Sequence, residues 1–135
     1  MVVEVQDFPV IVKWSPEELN SICSAVELHI AIRRPDGRLR RWTPIWVVCV
    51  EEQVYVRTWY RRETGWFGHA LLSRRARIRV PGLAADVTVE DLGQGELDLH
   101  ASVDSAYRTK YGHHGSESMV TAAAAATTLQ LAPDR

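Results

Sequence analysis

The chain has 135 residues, with 16 basic and 17 acidic side chains, a formal net charge of −1 and 46% hydrophobic residues. That length suits one domain over 1–135 with an ordinary buried core, and the near-neutral balance, with a pI of about 6.5, disfavours nucleic acid as a partner. No apolar run has the length of a membrane helix and no signal-type stretch opens the chain, so no membrane partner is expected and the expected compartment is the cytoplasm.

Ser15-Pro16-Glu17-Glu18 marks a helix start, with a capping serine, a proline at the first helical position and a glutamate that completes a capping box. Leu19, Ile22, Cys23 and Val26 then recur at helical spacing, which predicts a short amphipathic helix over 16–26. From 27 to 34 the period becomes two, with Leu28, Ile30 and Ile32 on one face. Pro35-Asp36-Gly37 is a tight turn into a long strand over 38–50. Its half from Thr43 to Val50 is apolar on both faces, so the core covers one face and a helix or a second subunit covers the other. A third strand is expected over 54–59, then a polar loop, a short helix over 66–72, and strands over 76–80 and 83–90 about a Pro81-Gly82 turn.

The clearest long helix is predicted over 96–111, lined on one side by Leu99, Val103, Ala106, Tyr107 and Tyr111 and stopped by Gly112. A tight helical turn at Ala122–126 and a last strand over 127–131 complete the order. A small antiparallel barrel with helices packed on its outside accounts for it, an α+β fold that is mainly β. Cys23 and Cys49 have no metal-type spacing and read as buried free thiols, a disulfide being disfavoured in a reducing cytosol.

Charge is distributed unevenly. Twelve of the fourteen arginines and four of the five tryptophans lie between Arg33 and Arg79, a segment with only four acids. Guanidinium groups bind phosphate or carboxylate through paired hydrogen bonds, and indoles offer flat apolar surface, so the pairing points to an anionic, ring-bearing small-molecule ligand. Alternation places Arg57 on one face with Tyr55 and Trp59, and Arg57, Arg61 and Arg62 form the leading candidate site. The competing reading is guanidinium stacked on aromatic rings as structure alone. Arg34 and Arg75 fall outside the proposed cleft. His113-His114 is a poor metal signal without a third ligand, so no metal is expected, and His29 reads as a packed strand histidine. Tyr107 and Tyr111 read as core residues with polar tips. Nucleophile-elbow and phosphate-loop motifs are absent, and no catalytic residue is identified.

The words ELHIAIRR, PDG, TPIWVVCV and VYVRTWYRR resemble the split-barrel flavin-binding proteins, the fold of pyridoxamine-phosphate oxidase and the deazaflavin-dependent reductases. With the tryptophan-led helix, the basic strand, AYRTKYG and ATTL, about residues 14–133 resemble more closely the bacterial domain-of-unknown-function family 2255. The resemblance implies a split β-barrel with helices outside, most often a homodimer with the cofactor cleft between subunits. It implies a flavin or deazaflavin redox role for that cleft, with FMN or a deazaflavin coenzyme as cofactor. Ile45, Trp46 and Val47 would offer backbone amides to the ring edge, and Arg57, Thr58, Trp59, Arg61 and Arg62 would reach the phosphate. The alternatives are a cofactor-free split-barrel binding module and a non-redox enzyme acting on a small molecule in the same cleft.

Overall fold

The computed structural model describes residues 12–58, 65–93, 95–112 and 116–135. Helix α1 (Pro16–Cys23) starts as expected: Ser15 accepts from the Glu18 amide and the Glu18 carboxylate accepts from the Ser15 amide. It ends three residues early, where Ser24 bonds back to the Asn20 carbonyl, and Val26 lies in the open at 72% exposure. Strand β1 (Leu28–Ile32) follows.

The expected strand over 38–50 divides. Its ladder portions are β2 (Thr43–Ile45) and β3 (Val47–Val50), and Trp46 stands between them. β2 pairs with β1, whereas β3 turns away to pair with β4 (Gln53–Val56). The pairing of β1 shifts by one residue between Leu39 and Thr43, a bulge that re-aims the side chains of the intervening residues. Helix α2 (Gly65–Ser73), the β5–β6 hairpin (Arg75–Val80 and Leu83–Asp91), helix α3 (Leu97–Tyr111), a 3₁₀ turn (Ser116–Met119), helix α4 (Ala122–Ala125) and β7 (Leu129–Pro133) complete the chain.

All pairings are antiparallel, in the order β2-β1-β5-β6-β7-β4-β3. The two edge strands are consecutive in sequence, so the backbone at Trp46 bridges the sheet edges and the sheet curls into a nearly closed barrel. It is a split barrel with helices outside. Period-two side chains fill its interior: Ile30 faces Ile78 across β1–β5 and Val54 faces Leu131 across β4–β7, all four fully buried. Such side chains contribute about 1.5–3 kcal/mol each. Ile22 of α1 and Phe67 and Ala70 of α2 join the same cluster.

A second cluster lies on the outer face, where Val48 and Tyr55 pack against Val103, Tyr107 and Met119, with Leu99, Ala106 and Tyr111 at its margin. Thus α3 covers the second apolar face of 43–50 within one chain, and that feature alone does not call for a second subunit. β7 begins two residues later than expected because Thr127 and Thr128 close α4 with hydroxyl bonds to the Ala124 and Ala125 carbonyls. No described helix is long and apolar enough to cross a membrane.

The cysteines correct the sequence reading. Cys23 and Cys49 form a disulfide, with Cα atoms 5.7 Å apart, because α1 folds back onto β3; spacing along the chain carried no sign of that approach. Closing a loop of this length removes about 3.5 kcal/mol of conformational freedom from the unfolded chain.

The β3–β4 turn holds a local conflict. Glu51 and Glu52 form a two-residue hairpin loop in which both have positive φ, 49° and 68°, a geometry suited to Asn-Gly. Replacing the pair by Glu51→Asn with Glu52→Gly should raise stability by about 1 kcal/mol, measured as the urea midpoint at unchanged slope.

Candidate functional site

The third-strand arginine does not project into open solvent. Arg57 follows β4 and is fully buried beneath α3, with a partner for each guanidinium nitrogen. Nε donates to Thr128 Oγ1 at 2.9 Å; Nη1 donates to Asp104 Oδ1 at 2.5 Å and to the Met119 carbonyl at 2.7 Å; Nη2 lies 3.4–3.5 Å from the carbonyl and Nδ1 of His100. Its guanidinium carbon also sits 5.8 Å from the Tyr107 ring centre. Arg57 therefore joins the end of β4 to α3, the 3₁₀ turn and the start of β7. Next to it, the Thr58 amide donates to Thr127 Oγ1.

The break between β2 and β3 is supported by the last turns of α3. The Tyr111 hydroxyl accepts from the Val47 amide at 3.1 Å and lies 2.7 Å from the Val26 carbonyl, and Lys110 Nζ donates to the Val47 carbonyl at 2.7 Å. The Trp46 indole stacks on the Tyr111 ring, centres 4.0 Å apart and planes within 3°. Desolvation pushes the Lys110 ammonium down to about 8 and the Tyr111 phenol above its ordinary value, and burial raises that of Tyr107 further.

Beside this break opens a cleft of about 720 Å³. Its lining includes the aromatic and apolar side chains of Ile45, Trp46, Trp66 and Met119, together with Glu27 and His69. Arg34, Arg40 and Arg41 also line it. The partners of the arginines separate those that build the fold from those that face the cleft. Arg33 and Arg77 share Asp86, Arg38 pairs with Asp36, Arg75 with Asp134 and Arg57 with Asp104. Arg79 lies 4.3 Å over the Trp42 ring, and Arg74 donates to the Leu71 carbonyl. Among the described arginines of this segment, the side chains of Arg34, Arg40, Arg41 and Arg79 make no hydrogen bond or ion pair with a described residue; Arg79 stacks on Trp42, and the other three line the cleft. Arg40 Nε is buried without a partner.

Of the expected site residues, Ile45, Trp46, Arg57 and Thr58 line the cleft. Val47 stands behind it, with its amide already engaged by Tyr111. Trp59, Arg61 and Arg62 lie outside the described residues, as does the His113-His114 pair. Arg34, expected outside the cleft, lines it, because the turn at Gly37 (φ 89°) folds the β1 end back toward residues 38–41. Arg40, Arg41 and His69 were not expected; the Arg40-Arg41 pair, one residue ahead of Thr43-Pro44-Ile45-Trp46, is the signal that marks two of them. Among the described residues no group of three or more His, Cys, Asp or Glu side chains is placed to hold a metal ion.

Two outcomes follow from these contacts. Asp104→Ala leaves a buried guanidinium uncompensated and should cost about 3–5 kcal/mol in chemical denaturation, against at most about 1 kcal/mol for Asp134→Ala at the exposed Arg75 pair. Lys110 titrates lower in the folded chain than in the unfolded one, so between pH 8 and its ordinary value near 10.5 the unfolded state holds more protons. Wild-type stability relative to Lys110→Met should therefore improve as pH rises through that window.

The family model described as "Uncharacterized protein conserved in bacteria (DUF2255)" matches residues 18–131. A comparison with curated proteins found no match. Among solved structures, a conserved hypothetical protein from Mycobacterium tuberculosis aligns with a TM-score of 0.60 and 14% identity, over 96% of this chain and 87% of that one. An FAD-binding protein from Mesorhizobium loti aligns at 0.59 and 13%, over 90% and 91%. A Corynebacterium glutamicum protein provisionally assigned as a pyridoxamine 5′-phosphate oxidase aligns at 0.50 and 16%, over 97% and 92%. These likenesses agree with the split barrel seen here, and the extent of the family match places the chain in the bacterial DUF2255 family.

Proposed function

We propose that the cleft binds a phosphorylated flavin-type cofactor, FMN or a deazaflavin coenzyme, and serves an oxidoreductase acting on a small organic substrate. The observation that carries this reading is the sorting of the arginines: Arg34, Arg40 and Arg41, which have no hydrogen-bond or ion-pair partner among the described residues, share one cleft with two tryptophans, and Arg40 has a buried Nε with no such partner. An unsatisfied buried donor costs about 1–3 kcal/mol, a cost that an anionic oxygen from a ligand removes. The description of the Mesorhizobium loti neighbour as FAD-binding is in keeping with a ligand of this class.

In this reading Arg34, Arg40 and Arg41 hold the anionic group and Trp46 offers ring surface, braced from behind by Tyr111. Arg57 acts at one remove, by fixing Met119 and the chain at Thr58, both of which line the cleft. A bound flavin or deazaflavin supplies the capacity to accept or donate hydride; the protein supplies orientation and electrostatics. The proposal includes a homodimer with the cleft at its subunit boundary; light scattering that returned only the 15.3 kDa single-chain mass would remove that part.

Titration of the purified protein with FMN, followed by quenching of flavin fluorescence, tests the site. Arg40→Ala should weaken binding by about tenfold to a hundredfold, the worth of one charge-assisted hydrogen bond, and Arg75→Ala should leave it unchanged. Equal losses at both positions that vanish in high salt would point instead to diffuse attraction of polyanions. A wild-type protein that binds neither FMN nor a deazaflavin would leave a cofactor-free module as the better reading.

A further inference from the structure

We propose that the Cys23–Cys49 disulfide is a redox-sensitive staple that controls the order of the cleft. The loop it closes runs through residues 24–48 and contains more than half of the residues that line the cleft, including Arg34, Arg40, Arg41 and Trp46. α3 holds one face of β3, through Val48 and the Val47 bonds to Tyr111 and Lys110, but the strand's outer edge has no partner strand among the described residues. β3 has four residues and a hydrogen-bonded neighbour, β4, on one side only. Its other side is where the barrel is split, and α1 meets β3 through the disulfide. α1 has two turns and one fully buried side chain, too short to persist without tertiary support.

Its other ties are the packing of Ile22 and Leu19 on the barrel core, the partly exposed Glu18–Arg135 pair, and the Trp14 indole bond to the Leu131 carbonyl just before the helix. Neither of the last two touches β3. Cutting the disulfide therefore frees the edge of β3 next to Trp46, while β5, β6 and β7 keep their ladders. Both cysteines are half-buried rather than sealed in the core. A dithiol reductant fits that access: one thiolate attacks a sulfur and displaces the other as thiolate, and the second thiol of the reagent resolves the mixed disulfide. The protein gains two electrons and two protons, and the reductant leaves as a disulfide. An oxidising compartment keeps the staple closed, and a reducing one opens it.

Hydrogen exchange tests this without any cofactor, using the whole chain in dithiothreitol redox buffers, with thiols counted by alkylation and mass. Reduction should raise exchange across α1 and residues 46–50 at least tenfold and leave β5 and β6 unchanged, and reoxidation should restore the first state. The Cys23→Ser/Cys49→Ser double variant should match the reduced protein and ignore the buffer. Equal exchange in both states, a disulfide that opens only on denaturation, or global unfolding on reduction would each overturn the proposal. A second arm rests on the flavin reading: FMN should bind the oxidised chain at least tenfold more tightly than the reduced one. Failure of FMN to bind either state counts against the flavin reading alone, because the exchange arm still decides the staple.

Discussion

A guanidinium with no access to water must find its hydrogen bonds inside the protein, and Arg57 organises one side of the barrel on that condition. Its partners come from three places distant in sequence: Asp104 and His100 on α3, the Met119 carbonyl in the 3₁₀ turn, and Thr128 ahead of β7. Removing the charge from water is expensive, and only the full set of contacts offsets it. The three segments are thereby held in one arrangement, with Met119 and Thr58 at the cleft. The same contact fixes α3 on the outer face of β3 and β4, so that Tyr107, Lys110 and Tyr111 reach the break at Trp46.

The break then defines the site. A fully closed ladder has no room between β2 and β3, whereas here the backbone crosses from one sheet edge to the other at a single residue. Side chains of α3 and the disulfide to α1 provide the support that strand pairing provides elsewhere. What remains open is lined by aromatic surface and by arginines with no hydrogen-bond or ion-pair partner among the described residues. Carboxylates are present in the same part of the molecule, at Asp36, Asp86, Asp104 and Asp134, and each is matched to another arginine. The chain thus pairs Arg33, Arg38, Arg57, Arg75 and Arg77 with carboxylates and leaves Arg34, Arg40 and Arg41 at the cleft without one among the described residues.

Much of the fold was legible because hydrophobic period is a local signal. Ile30 and Ile32, Ala76 and Ile78, and Val87 and Val89 alternate as inward residues of strands, and Val103 and Tyr107 recur on one helical face; all are buried. The capping box at Ser15 and Glu18 was equally local. The break at Trp46 was not, because residues 43–50 are apolar throughout and nothing in the pattern marks a change of partner. The one-residue bulge before Thr43 left no sign in a run of arginines, and the disulfide depends on how α1 folds back. The burial of Arg57 and its bonds to Asp104, Met119 and Thr128 were not legible, since a buried arginine and a ligand-binding one look alike between aromatic residues. The clue lay on α3, where His100, Asp104 and Tyr107 share the face beside Val103, an acid on an apolar stripe that calls for a cation.

The division of the arginines is the central claim, and arginine Nε–H nuclear magnetic resonance reads it directly, one signal per side chain. On titration with FMN, the signals of Arg34, Arg40 and Arg41 should move, with that of Arg40 moving most, while those of Arg33, Arg57, Arg75 and Arg77 stay in place. A shift led by Arg57, or one spread evenly over all of these arginines, would contradict the account.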